Sequence, residues 1–206
     1  MARLTAAAAG LVCAALLRLV VLGSAGAAAG GGGVLPDELL PYASFFPDGL
    51  PPPVRIYCRQ NIEKNYLNVA IRDNKVVLVK ANQWDKTQLW IPLPFFGAVK
   101  PFSLMNAKTY QVIVIPKGGS KLQLSERFDL VSATKELWLP AAPRSDHPED
   151  LGFYQVKVYA DQGKALNGLW GNAHEGTEVG FYSANPVTQN TLWLVSSAWP
   201  LPLHFP

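Results

Sequence analysis

Acidic residues are missing from the first 33 positions of this chain, cysteines number only two, histidines only three, and no Asn-x-Ser/Thr sequon occurs anywhere. Each shortage removes a class of function. With Cys13 inside the acid-free segment, Cys58 is the only thiol left to a mature domain, so an intramolecular disulfide is excluded. The 206 residues suffice to bury one good-sized core without such a bond. Cys58 stands in "VRIYCRQ", between apolar and polar neighbours, and is expected to be a half-buried strand thiol rather than a nucleophile. His147, His174 and His204 are isolated and make no zinc or calcium spacing with other ligands, so neither a metal nor a cofactor is expected.

Charge of one sign is also scarce. The formal net charge is +3, but Arg3 and Arg18 belong to the N-terminal segment, and the remainder carries 16 Lys and Arg against 15 acids. That near balance gives no electrostatic case for nucleic acid.

The segment "MARLTAAAAGLVCAALLRLVVLGSAGAAAGGGG" joins an early Arg to an apolar Ala/Leu/Val stretch and small residues, the pattern of a secretory signal peptide. Secretion is the expected destination, with no stable membrane span once the signal is cleaved. Arg18 interrupts the apolar run, and the segment also suits an organelle transit peptide or an uncleaved membrane anchor. Residues 34–53 form a Pro-rich arm carrying Tyr42, Phe45 and Phe46, expected to pack on the following domain. Residues 199–206 form a second Pro-rich tail, expected to lie beside the arm.

Residues 54–198 lack any sustained 3.6-residue apolar period. They hold instead short runs of β-branched and aromatic residues, such as Val76 to Val79, Gln111 to Ile115 and the stretch from Phe153, separated by Gly, Asn, Asp and Pro. The domain is therefore expected to be all-β. "PKGGSK", from Pro116 to Lys121, reads as a hairpin turn, and "RSDHPEDLG", from Arg144 to Gly152, as a charged linker.

A Leu-Trp pair recurs in "TQLWIPLP", "KELWLPAA" and "NTLWLVSS", with Trp90, Trp138 and Trp193 spaced 48 and 55 residues apart. Each unit opens on an apolar or aromatic run and closes on Leu-Trp followed by an apolar residue. Such self-similarity marks a supersecondary unit whose copies complete one core. Three units closing on an axis give a β-trefoil and hide most strand edges. A propeller needs one unit more, and a two-sheet sandwich leaves the three equivalent endings unexplained. The three Trp are expected inside, and Trp84 is expected in a loop, packed on the barrel surface.

The triplet Gln88-Leu89-Trp90 and its degenerate copies resemble the Gln-x-Trp repeats of ricin B-chain-like lectins. The first unit, with Arg-Ile-Tyr-Cys, Arg-Asp-x-Lys-Val-Val-Leu and Ala-Asn before the Trp, is similar to the opening of a Euonymus-type plant lectin domain. The third is similar in its Leu-Asn, its Gly-Thr and its closing Asn-x-x-Trp. The resemblance implies a non-catalytic carbohydrate-binding trefoil whose partners are glycans or glycoproteins. It places Tyr182 at the family's stacking aromatic and Asn190 at the site's amide, with Asn167 from the Leu-Asn pair.

The family's Leu-Asn-x-Asp is "LNGL" here, so Leu169 stands where a carboxylate belongs, removing about 1–3 kcal/mol of charge-assisted hydrogen bonding. Trp170, Asn172, His174 and Glu175 on the adjacent loop are candidates to replace it. In the first unit the stacking position falls near Val79, and in the second near Leu124 or Glu126, so neither presents an aromatic plane. Two functions stay open: a lectin-like protein with one site in the third unit, or a trefoil interaction or structural module without sugar affinity, using the loop Trp170 and the aromatic arms.

Overall fold

A computed structural model describes residues 50–60, 62, 66–94, 101–126, 137–141, 150 and 152–196. The expected signal segment, most of the Pro-rich arm including Tyr42, Phe45 and Phe46, the C-terminal tail, most of the charged linker, and His147 and His204 lie outside the described residues. Among those described, no helix is long and apolar enough to cross a membrane.

Among the described residues, twelve strands fall into three sets of four. The first unit holds β1 (Arg55–Cys58), β2 (Leu67–Arg72), β3 (Lys75–Lys80) and β4 (Trp90–Pro94). The second holds β5 (Phe102–Asn106), β6 (Val112–Val114), β7 (Gln123–Ser125) and β8 (Trp138–Ala141). The third holds β9 (Gln155–Val158), β10 (Asp161–Gly168), β11 (Val179–Ser183) and β12 (Trp193–Ser196). The runs at Val76 to Val79, Gln111 to Ile115 and after Phe153 become β3, β6 and β9.

The second and third strands of each unit form a hairpin. In the first unit, β2 and β3 pair over six positions from Leu67↔Lys80 to Arg72↔Lys75. Their turn is Asp73-Asn74, at φ 48° and 58°. Two successive left-handed residues make the tight turn whose twist matches that of the strands, and Asp and Asn enter that region more readily than other non-glycine residues. "PKGGSK" lies in the connection between β6 and β7, with Gly119 at φ 80°.

The first and fourth strands build a closed ring. β12 pairs with β1, β4 with β5, and β8 with β9. Within units, Val54 bridges Trp90, Phe102 pairs with Trp138, and Tyr154 bridges Trp193. These six contacts return to their starting point, leaving no ring edge open. Three hairpins on a six-stranded ring make a β-trefoil, so the fold read from the repeats is the fold observed.

Each closing strand begins at its Trp, paired with the last residue of a unit's first strand: Trp90↔Asn106, Trp138↔Val158, Trp193↔Cys58. All three indoles are fully buried among Val54, Ile56, Leu78, Leu104, Ile113 and Phe181. Each removes on the order of 150–250 Å² from water, which makes the three side chains a large share of the core. Trp90 Nε1 donates to Val69 O at 2.9 Å and Trp193 Nε1 to Leu166 O at 3.0 Å. Trp138 Nε1 has no partner among the described residues.

Cys58 is fully buried, not half-buried as its neighbours suggested. One face of β1 lines the barrel, and the other is covered where Tyr57 packs with Ile62, Phe153 and Leu192. Burial pushes the thiol pKa up to about 12, against a backbone hydrogen bond at Gln60 that acts the other way.

Candidate functional site

The third hairpin sets the geometry of the expected site. β10 and β11 pair Ala165↔Tyr182, Leu166↔Phe181 and Asn167↔Gly180. Alternation sends Leu166 and Phe181 into the core, and puts Tyr182 on the other face with Ala165 and Asn167. Tyr182 and Asn167 are therefore diagonal neighbours, about 7–8 Å apart between backbones. The Tyr182 side chain is 62% exposed.

Asn190 reaches the same place from a 3-10 turn, Gln189–Thr191, held shut by Thr188 N donating to Thr191 Oγ1 at 3.2 Å. Its Nδ2 donates to Asn167 Oδ1 at 3.0 Å and to Gly168 O at 2.8 Å, and its Oδ1 accepts from Thr188 Oγ1 at 2.7 Å. Both asparagines are buried. Asn190 thus ties the turn to β10 through a buried amide pair, and Asn167 of that pair is the diagonal neighbour of the exposed Tyr182.

Leu169 shows why the carboxylate is missing. It is buried, and its methyl groups close over Gly180: a Cβ built there would meet them at 2.8 and 2.9 Å. The same Cβ would lie 2.1 Å from Ser120 O, which accepts from Phe181 N at 2.8 Å. The position packs the third hairpin onto the second, a place unsuited to an ionised acid.

Trp170 is an exposed indole, but it lies away from this site. It is 82% exposed at φ 71°, followed by Gly171 at φ 75°. A bulky residue in the left-handed region is a backbone outlier. Gln60 of the first unit fixes the loop, donating from Nε2 to Gly171 O at 3.0 Å and accepting from Ala173 N at 2.9 Å. Trp170 lines a hollow with Lys75, Val77, Asn172, His174 and Glu178, which Tyr182 and Asn190 do not reach. His174 Nδ1 is 2.8 Å from Asn172 O and 3.1 Å from Thr177 Oγ1.

Glu175 faces a third location, with its carboxylate 3.6 Å from Lys80 Nζ in the first unit. The five sequence-derived candidates are thus divided: Tyr182, Asn167 and Asn190 together, Trp170 over its own hollow, and Glu175 beside Lys80. Glu175 lines a hollow that the sequence reading missed, shared with Arg72, Lys80, Asn82, Trp84 and Asp85. Trp84 there is 82% exposed, which corrects the expectation that it packs on the barrel.

Local caps fix the backbone on both sides of Trp84. Its backbone N–H donates to Asn82 Oδ1 at 3.0 Å. Asp85 caps the next 3-10 turn, Lys86–Gln88, accepting from Thr87 N at 3.0 Å and Thr87 Oγ1 at 2.6 Å, with Arg72 bonded to its other oxygen. Burial opposes ionisation of Asp85, but the bonds from Thr87 and Arg72 overcome it and hold its pKa near about 2. The signal for this loop was present in the sequence, as an Asn and an Asp at turn and cap positions on either side of a Trp.

No protein-family model matches this chain, and no curated protein matches it. Solved structures do. A designed 3-fold symmetric protein, ThreeFoil, superposes with a TM-score of 0.56 at 13% identity, over 71% of this chain and 99% of that one. The BEL beta-trefoil in an apo crystal form superposes with a TM-score of 0.51 at 11% identity, over 69% and 92%. SeviL bound to asialo-GM1 saccharide gives 0.50 at 14% identity, over 73% and 100%. At such identities the likeness is one of fold, and it agrees with the ring and three hairpins: the match covers between 92% and 100% of each of those three chains.

Proposed function

We propose that this protein is a non-catalytic, lectin-like carbohydrate-binding protein of the Euonymus type, with its principal saccharide site in the third unit. The observation that carries the reading is Tyr182, exposed on β11 beside the Asn167–Asn190 pair. A phenol ring offers a flat apolar face to the C–H face of a pyranose, and its hydroxyl and neighbouring amides meet sugar hydroxyls. A fixed amide pair also lowers the ordering cost of binding. With Leu169 in place of an acid, affinity for a single sugar is weak, roughly tenfold or more below a site that keeps the charged bond.

Absence of catalysis is supported by Cys58, whose buried thiol holds its proton far above neutral pH and is a poor nucleophile. The N-terminal segment supports secretion of a domain spanning residues 54–198. A glycan array and calorimetric titration test the reading: the wild type binds a defined glycan set, and Tyr182→Ala weakens it at least fivefold. No binding to any glycan rejects it.

A second reading, a protein-interaction module, is favoured by Trp170, strained in its backbone and 82% exposed. A pull-down whose partners survive Tyr182→Ala and are lost on Trp170→Ala selects it.

A further inference from the structure

We infer that the hollow around Trp84, walled by the first unit and by Glu175 of the third, is a second subsite that binds neutral saccharides; this rests on the lectin reading and extends it to two sites per domain. Three observations meet there. The first is a platform: an indole 82% exposed, in a loop fixed on one side by the Asn82 turn and on the other by the Asp85 cap. A loop whose backbone is bonded at both ends loses less freedom when a ligand meets its exposed ring than a flexible loop does.

The second is the chemistry of the wall. Lys80 Nζ supplies donors and the Glu175 carboxylate supplies acceptors, 3.6 Å apart, a separation at which each keeps hydrogen-bonding capacity toward a third group. Asn82 uses its Oδ1 on the Trp84 backbone N–H, and its Nδ2 has no partner among the described residues. Donor and acceptor side by side suit a hydroxyl, which is both. The third is charge. Arg72 is paired with Asp85, and Lys80 with Glu175, so the hollow carries two cations and two anions. That balance favours a neutral sugar over a sialylated or sulfated one.

This platform has no counterpart in the third unit. Trp84 stands six residues before Trp90, and six residues before Trp193 is Val187. The acceptor Glu175 comes from a different unit than the indole, so the subsite depends on the closed trefoil and is not contained in one repeat.

The experiment titrates neutral and sialylated oligosaccharides into the wild type, Tyr182→Ala, Trp84→Ala, Trp84→Phe, Glu175→Gln and the Tyr182/Trp84 double alanine variant. Tyr182→Ala is expected to retain binding of a neutral oligosaccharide. Trp84→Ala in that background weakens it about fivefold to tenfold, Trp84→Phe weakens it less, and Glu175→Gln weakens it without changing the melting temperature. If the wild type binds glycans but Trp84→Ala changes nothing in the Tyr182→Ala background, or Tyr182→Ala alone abolishes all binding, the second subsite is rejected and the lectin reading stands. A wild type that binds no glycan removes both. Tighter binding of sialylated than of neutral ligands at the Trp84-dependent site overturns the proposed class.

Discussion

Arg55 Nη1 donates to Gln88 Oε1 at 2.9 Å inside the wall of the barrel, two residues before the Trp that Gln88 introduces. The same oxygen accepts from Asn68 Nδ2 at 3.2 Å and Asn82 N at 3.0 Å, and Gln88 Nε2 donates to Lys80 O at 3.0 Å. In the third unit Gln155 takes the place of Arg55 at the head of its strand, and donates to Thr191 Oγ1 at 3.3 Å. Gln88→Ala strips partners from Arg55, Asn68 and Lys80 at once, and is expected to cost about 3 kcal/mol in urea unfolding. Thr191→Ala, which removes a smaller hub, costs less.

The three core Trp are not equal. Trp90 and Trp193 each give an indole N–H to a strand carbonyl, and Trp138 does not. Replacement by Phe removes similar volume at all three sites, so the difference isolates the hydrogen bond. Trp90→Phe and Trp193→Phe are expected to lose about 1 kcal/mol more than Trp138→Phe, measured as paired denaturation midpoints.

Gly180 is required where the third hairpin meets the second. Its added Cβ would collide with Ser120 O at 2.1 Å, a backbone atom that cannot rotate away. Gly180→Ala is expected to destabilise by about 1–3 kcal/mol through overpacking, whereas Gly118→Ala, with open space around it, leaves the melting temperature nearly unchanged. A melt series on the two variants checks both.

Two buried acids set the alkaline limit. Burial raises Tyr57 to about 12, against an opposing pull from Arg55, and raises Cys58 from 9.0 to about 12. Above the unfolded values the unfolded chain releases protons that the folded chain still holds, so unfolding gains as pH rises. Stability is full below about pH 9 and falls toward pH 12. The Tyr57 hydroxyl has no partner among the described residues, so Tyr57→Phe costs little at neutral pH and flattens the alkaline loss. Urea midpoints between neutral pH and about pH 11 test the slope, and a thiol reagent at mildly alkaline pH should label Cys58 only after unfolding.

The fold was legible because a closing strand beginning at a buried Trp is a packing need repeated three times, and repetition survives divergence of everything around it. The hairpin of the second unit was legible in "PKGGSK" for a local reason, the glycines of its turn. The unread features are the long-range ones. Cys58 is buried because its face of β1 lines the barrel core with Ile56 and Trp193, while Phe153 and Leu192, remote in sequence, cover Tyr57 on the opposite face. The loop of Trp84 is anchored where Asp85 engages Arg72 across the hairpin, and Glu175 is drawn to Lys80 from another unit. Spacing along a chain carries no record of such meetings. The cluster expected at Tyr182 was partly visible, since Leu-Asn and Asn-x-x-Trp marked two amides that the fold brings to 3.0 Å.

The ring closes by pairing the domain's outermost strands, Arg55 opposite Ser196 through Cys58 opposite Trp193. Covalent order is therefore incidental to the architecture: a short linker between the two ends and a cut in a hairpin turn such as Gly118–Gly119 would leave every strand with the neighbours it has now. The domain behaves as a circle that happens to be opened at one point, and that point can be moved by engineering or by gene rearrangement without redesigning the core.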